Sequence, residues 1–257
     1  MSKNKNISSG ENPENSSKEQ LDQAEIIEET GSVRSQNAKH LIHCLTIIGQ
    51  IEGHDVLPSQ NKTTKYEHIL PALVAVEQDR SIEGLLILLN TVGGDVEAGL
   101  AIAEMISGMR IPTVSLVVGG GHSIGVPLAV SARHSMIVPS ASMTLHPVRT
   151  NGLVLGVPQT MKYLSQIQDR ITGFVAKNSR IPEDKLISLM HSTESMTTDL
   201  GTIITGEEAV ELGLIDETGS LSDALDRLYS MIENEGVRYP DSKTQLKTER
   251  KSRGKEK

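Results

Sequence analysis

Apolar and polar positions follow two periodicities along the middle of the chain, and their alternation predicts strands interleaved with helices. Near-continuous apolar runs at His40–Ile48, Gly84–Asn90 and Thr113–Val118 are typical of buried, central parallel strands. Between these runs, apolar residues recur at helical spacing over Tyr66–Glu77 and Val96–Met109. Strands that alternate with helices predict an α/β fold with right-handed crossovers.

The second half of this region continues the pattern with shorter elements. It predicts a buried helix over Ser123–Arg133, short strands at Ser135–Val138 and Met143–His146, and a glycine-punctuated extended arm at Asn151–Val157. A long helix then covers Gln159–Ser179, and such an arm and helix can build a subunit interface, although an ordinary cover helix fits the pattern equally well. The remaining predicted helices are Glu183–Met190, Gly206–Leu212 and Ser220–Ile232.

The two ends of the chain depart from this organisation. Residues 1–38 are rich in Ser, Asn, Glu and Lys, which predicts a disordered polar tail. Residues 39–235 are predicted to form one folded domain. Residues 236–257 are predicted to be a second disordered tail, and this tail is basic, with seven Lys or Arg against two Glu from Ser242 to Lys257.

Composition narrows the classes of function. A net charge of −8 and an aromatic content of 2% argue against a nucleic-acid-binding protein. No apolar run is long enough to span a bilayer, and the N-terminus lacks the apolar core of a signal peptide, so we expect a cytoplasmic protein. The single cysteine, Cys44, lies in a strand-like run and is interpreted as a structural thiol. No Cys/His cluster has metal-binding spacing, so neither a metal nor an organic cofactor is predicted.

Two glycine-rich turns follow predicted strands. They are Leu89–Asp95 (LNTVGGD) and Val117–Gly125 (VVGGGHSIG). Turns at the carboxyl edge of a parallel sheet are where α/β proteins place their sites, and glycine lets backbone N–H groups approach a ligand closely.

The second turn contains the pattern G-x-S-x-G, with Ser123 at its centre. This pattern is typical of a nucleophilic serine on a sharp strand-to-helix turn. Such a serine needs a base, an orienting acid and donors for the oxyanion, and the N–H groups of Ile124 and Gly94 are the candidate donors. On the motif alone, a serine that merely caps the following helix is an equally good interpretation.

The base is expected to be a histidine, and His146 is the best candidate of eight. It ends a predicted short strand and follows Ser123 by 23 residues. His122 is adjacent to the serine and should point away from it, and His134 is expected at the surface. The other histidines, without a motif around them, include His43, His54, His68 and His191.

Four segments in this order resemble the Clp proteolytic-subunit family of serine peptidases, over about Thr46 to Asp216. They are Leu89–Gly94, Gly119–Gly125, Met143–Pro147 and Thr205–Asp216 (TGEEAVELGLID). The resemblance implies a crotonase-like α/β fold of repeated ββα units with a projecting strand–helix arm. It also implies a Ser–His–Asp peptidase that acts on protein or peptide substrates without a cofactor.

The resemblance assigns further roles. The oxyanion hole is implied to consist of the N–H groups of Gly94 and Ile124, and Asn151–Ser179 is implied to form a ring-to-ring interface of a homo-oligomer. Members of the family commonly work with a ring-shaped AAA+ ATPase, but nothing in this sequence indicates whether such a partner docks.

The sequence departs from the family in three places. It has Thr91-Val92 where Ser-Pro is usual, His122 before the serine is less usual, and the stretch from Leu186 to Thr205 is longer than usual. Because that stretch holds the third triad member, its identity is open. Asp199 is preferred because it precedes a short predicted strand, and Glu194 and Asp184 are the alternatives.

Two other functions compete with the peptidase. The sequence Gly-His-Ser-Ile-Gly also suggests an α/β-hydrolase esterase, but that fold places the histidine after the acid, and only His191 follows Asp169, Glu183 and Asp184. The displaced acid and the altered first turn suggest a catalytically weak or inactive scaffold or adaptor of the same fold.

Overall fold

A computed structural model of the protein describes residues 31–37, 39–149, 156–193 and 201–235. Within these ranges the chain forms nine strands and seven helices. The strands are β1 (Ser32–Gln36), β2 (Leu41–Glu52), β3 (Thr63–Lys65), β4 (Gly84–Gly94), β5 (Thr113–Gly121), β6 (His134–Ile137), β7 (Ser142–Leu145), β8 (Thr202–Thr205) and β9 (Glu217–Thr218). The helices are α1 (Tyr66–Gln78), α2 (Val96–Ser107), α3 (Gly125–Ala129), α4 (Val157–Lys177), α5 (Glu183–Met190), α6 (Gly206–Glu211) and α7 (Leu221–Glu235).

The main sheet has the strand order β1-β2-β4-β5-β6-β9. Strands β2, β4, β5, β6 and β9 run parallel, and β1 pairs antiparallel with β2 at the edge. Strand β7 contacts the end of β5 and pairs antiparallel with β8. The carboxyl ends of β4 and β5 therefore meet beside β7, which brings the two glycine turns and the segment after β7 to one edge.

The predicted α/β layering is confirmed, because apolar side chains on the two sheet faces form separate cores. The larger core packs the sheet against α1, α2, α3 and part of α4. On the other face, α7 covers the sheet with a smaller cluster that includes Ala224, Leu228 and Met231. Strand β4 is buried over most of its length, which explains its continuous apolar run.

The long helix α4 is buried only in its second half. Ile167, Ile171, Phe174 and Val175 pack into the core, whereas the first turns are largely solvent-exposed and carry Val157, Met161 and Tyr163. An amphipathic helix normally buries its apolar residues. The exposed first half of α4 is therefore an apolar surface that the described residues leave uncovered. The predicted arm before it falls largely within residues 150–155, which lie outside the described ranges.

Two predictions need correction. The predicted helix over Ser123–Arg133 is much shorter, since α3 covers only Gly125–Ala129. The predicted tail over residues 1–38 includes β1, whose polar residues gave no strand signal but whose backbone pairs with β2. In both cases tertiary contacts overrode the local pattern.

Cys44 makes no disulfide, and partial burial raises the pKa of its thiol, as expected for a structural cysteine. No helix in the described ranges is long and apolar enough to cross a membrane.

Candidate active site

The first glycine turn is held in place by the buried side chain of Thr91. Its hydroxyl donates to the carbonyl of Gly49 (2.6 Å) and accepts from the N–H of Gly93 (3.0 Å). Val92, the next residue, is 65% exposed.

Gly93 and Gly94 are glycines because the backbone and its neighbours exclude a side chain. Gly93 has φ +91°, and a Cβ there would lie 2.7 Å from the Cβ of Ser123. Gly94 has φ +150°, and its Cβ would lie 2.2 Å from the carbonyl oxygen of Ile51. The next residue, Asp95, donates its backbone N–H to that same oxygen (3.0 Å), which holds the end of the turn against β2.

The second turn presents Ser123 on a strained backbone. Its φ of 58° is the only positive φ of a non-glycine residue in the described ranges. The turn is anchored on both sides, since His122 N–H donates to the carbonyl of Thr91 (3.1 Å) and Ser123 N–H to that of Thr144 (2.9 Å). A residue held in this unfavourable conformation is typical of a nucleophile turn.

The N–H of Ile124 is free to bind a ligand. Gly125 donates to the carbonyl of His122 (2.8 Å) and Val126 to that of Ser123 (3.0 Å), but among the described residues no acceptor takes the Ile124 N–H. Ile124 rather than Ser123 occupies the N-cap position of α3, and no side chain caps that helix. The helix-cap interpretation of Ser123 is therefore wrong.

His146 follows directly after β7 and is half-buried. Its Nδ1 atom lies 2.7 Å from the carbonyl oxygen of Pro147. Because a carbonyl only accepts, Nδ1 carries the proton, and in the neutral ring Nε2 is left as an acceptor. This is the tautomer that a general base for a serine hydroxyl requires.

Ser123 and His146 line one small cavity of about 120 Å³, together with Gly94 and Ile124. The structure thus brings four predicted site residues together. Within the described ranges the Ser123 hydroxyl makes no hydrogen bond, so serine and histidine share the cavity without being hydrogen-bonded to each other. The other lining residues are Val96, Pro147, Val148, Arg149, Ile171 and Met190.

The other histidines named as candidates are engaged elsewhere. The Nδ1 atom of His122 lies 2.9 Å from the hydroxyl of Thr144, and burial lowers the pKa of His122. His134 pairs with Glu217 at 2.9 Å, and His191 bonds the carbonyl of the preceding helical turn. None of these three lines the cavity.

The predicted acids are not brought to the cavity within the described ranges. Asp199 and Glu194 lie outside these ranges, and Asp184 is exposed on α5. Among the described residues, those that line the cavity include no carboxylate. Sequence reasoning missed Met190 and its hydrogen-bond partner Gln168, whose only sequence signal was ordinary helical spacing.

The described residues contain no group of three or more His, Cys, Asp or Glu arranged to hold a metal ion.

A parallel α/β fold whose second glycine turn carries a serine with positive φ has the geometry that is typical of proteins with a nucleophile turn. Comparison with known proteins identifies the family: the Clp protease pattern matches residues 43–220, and the chain belongs to that family. Family membership also removes the α/β-hydrolase alternative.

Relatives agree with this assignment. The chain is 59% identical over 200 residues to the translocation-enhancing protein TepA of Halalkalibacterium halodurans, covering 78% of each chain. It is 24% identical over 153 residues to an ATP-dependent Clp protease proteolytic subunit of Deinococcus radiodurans, covering 58% of this chain and 71% of that one. Among solved structures, a ClpP1 mutant from Listeria monocytogenes superposes with a TM-score of 0.58 at 19% identity, covering 71% of this chain and 94% of that one. This last likeness confirms the predicted fold class.

Proposed function

We propose that this protein is a serine endopeptidase that hydrolyses peptide bonds of protein or peptide substrates. The observation that carries the proposal is the cavity that Ser123 and His146 share with Gly94 and Ile124, in which the serine has a positive φ. An alcohol, a base and two backbone donors are the minimum set for acyl transfer.

In the proposed reaction, the hydroxyl of Ser123 attacks the peptide carbonyl while Nε2 of His146 takes the hydroxyl proton. The N–H groups of Gly94 and Ile124 hold the oxyanion. Collapse of the tetrahedral intermediate breaks the C–N bond, and His146 returns the proton to the leaving amine. Water then hydrolyses the acyl-enzyme by the same proton transfers.

The third triad member remains a prediction. Asp199 is expected to orient His146, with Glu194 and Asp184 as alternatives. The exposed position of Asp184 makes it the weakest of the three.

Covalent labelling tests the proposal directly. A fluorophosphonate should add one phosphonyl group per chain, and peptide mapping should find it on Ser123. A modification on any other residue, or none at all, would remove Ser123 from the chemistry.

We also propose that the chain assembles into a homo-oligomeric ring through the exposed first half of α4. That surface carries Val157, Met161 and Tyr163, each more than half exposed in the single chain. Light scattering should give a mass several times 27.8 kDa, and Met161→Lys together with Tyr163→Lys should lower it. A monomeric wild-type protein would contradict this assembly. A partner ATPase remains a prediction, to be tested by whether it accelerates degradation of an unfolded protein.

A second candidate function is a catalytically weak or inactive scaffold. It is favoured by the missing Ser123–His146 hydrogen bond and by the absence of a carboxylate among the described residues of the cavity. Failure to form any acyl-enzyme while the ring assembles normally would support it.

A further inference from the structure

We propose that Gln168, a residue of the long helix α4, is a positioning residue for His146. It acts by holding the peptide unit between Pro147 and Val148 in one orientation. This inference rests on the proposed function, in which His146 is the base.

The argument begins with two hydrogen bonds made by one peptide unit. The N–H of Val148 donates to Oε1 of Gln168 (2.8 Å), and the carbonyl of Pro147 accepts from Nδ1 of His146 (2.7 Å). These N–H and C=O groups belong to the same planar trans peptide and therefore point in opposite directions. A partner that fixes the N–H end also fixes the direction of the carbonyl.

Gln168 is itself held from two sides. Its neighbours on α4, Ile167 and Ile171, are buried in the core, so the helix cannot turn the glutamine away. Its Nε2 group donates to Sδ of Met190 (3.3 Å). Because the Val148 N–H can only donate, the amide must present its oxygen there and its NH₂ to Met190.

This chain of contacts ends at the reacting atoms. Val148 and Met190 line the same cavity as Ser123 and His146. With the carbonyl of Pro147 directed at Nδ1, the ring keeps its proton on that atom and presents Nε2 as an acceptor for the Ser123 hydroxyl. The role is compatible with a carboxylate from residue 199, because one N–H can be shared between two acceptors.

If Gln168 loses its acceptor, the peptide unit gains freedom to rotate and the productive orientation of His146 becomes less populated. The defect should appear in the chemical step and not in binding, since Gln168 does not line the cavity.

Saturation kinetics of fluorophosphonate labelling separate these two steps as kinact and KI. Gln168→Met keeps the length and bulk of the side chain but has no carboxamide acceptor, and we expect kinact to fall by about tenfold, the loss of one hydrogen bond. KI should stay within about twofold. Gln168→Glu retains the acceptor and should restore kinact to within about threefold of wild type. Gln166→Met, an exposed glutamine on the same helix, is the matched control and should be unchanged.

Three results would overturn the inference. The first is a wild-type kinact in Gln168→Met. The second is an equal loss in the Met and Glu variants, which would indicate packing alone. The third is an equal loss in Gln166→Met. If Gln168→Met does not fold, Gln168→Lys is tested in its place. Lysine also lacks an acceptor, and a half-buried helix position can hold its long side chain. Labelling that persists in Ser123→Ala would instead refute the proposed function.

Discussion

Two serine–histidine pairs among the described residues differ in the features that matter for reactivity. Ser32 and His43 hydrogen-bond directly across the paired strands β1 and β2. Ser123 and His146 are not hydrogen-bonded to each other, yet they share a cavity with Gly94 and Ile124. The closer pair is therefore the poorer candidate for catalysis.

The β1–β2 pair is a structural contact. Ser32 is only 6% exposed, both residues lie in regular strands, and Nδ1 of His43 is buried without a hydrogen-bond partner among the described residues. Burial, and then the charge of Arg34, lower the pKa of His43. A base that resists protonation and a hydroxyl that a substrate cannot reach do not make a nucleophile.

The cavity pair has what the buried pair lacks. Ser123 lies in a turn with positive φ, and Gly93 leaves room beside it. Among the described residues, the backbone N–H of Ile124 has no hydrogen-bond acceptor. The comparison teaches that access and oxyanion donors, more than a preformed Ser–His bond, distinguish a candidate catalytic site. Apo enzymes often have long catalytic hydrogen bonds that tighten only with substrate.

The largest expected effect comes from replacing the serine of each Ser–His pair. Ser123→Ala should abolish fluorophosphonate labelling and peptide hydrolysis because the attacking oxygen is gone. Ser32→Ala should leave both unchanged and cost only the stability of one hydrogen bond, about 1 kcal/mol. Labelling stoichiometry by intact mass measures the difference, and equal labelling of both variants would exclude Ser123 as the nucleophile.

The next effect concerns the predicted acid. If Asp199 completes the triad, Asp199→Asn should lower kcat by up to about 10⁴-fold through the wrong histidine tautomer. Asp226→Asn, at an exposed position on α7, is the control and should retain the wild-type rate. A wild-type rate in Asp199→Asn would move the role to Glu194 or leave the carbonyl of Pro147 as the only group holding His146.

A smaller effect is expected from the glycine beside the nucleophile. Gly93→Ala would force a Cβ to within 2.7 Å of Ser123 at φ +91°, so the serine must shift. We expect a loss of about 10²-fold in the labelling rate and a destabilisation of about 1–3 kcal/mol. Gly173→Ala is the matched control, because a Cβ at that helical glycine meets nothing within 4 Å and should stabilise α4 slightly. An unaltered labelling rate in Gly93→Ala would show that the close packing of the two turns is dispensable.

The smallest expected effect concerns His43, the histidine of the buried β1–β2 pair. Because the pKa of His43 is lowered in the folded state, the unfolded chain binds the proton first as pH falls below about 6.5, and stability declines with acidification. The decline levels off below the folded-state pKa and amounts to about 1.4 kcal/mol per pH unit between the two pKa values. Urea unfolding from pH 8 to pH 5 should show a shallower decline in His43→Gln, whereas His191→Gln, at an exposed site, should match wild type. Identical slopes in His43→Gln and wild type would mean that His43 titrates normally.

Much of the site could be predicted because its signals are local. Each turn is a short run of neighbouring residues, and the glycines in it adopt backbone conformations that residues with a Cβ rarely take. The role of His146 was harder to predict. Its position at a strand end indicated only that it lies near the glycine turns, and the family resemblance was needed to single it out as the base. The short helix α3 and strand β1 were mispredicted because their extents depend on pairing and packing with distant residues.

The amino-acid sequence by itself determined the alternation of strands and helices and the positions of the two turns, because hydrophobic periodicity and glycine conformation act over a few residues. Only the tertiary structure decided that His146 rather than His122 lines the cavity of Ser123. It also decided that Gln168 binds the backbone of Val148 and that Met190 lines the same cavity. Those relations depend on which way side chains from separate elements point once the sheet and α4 have packed, and no local pattern in the chain encodes that direction.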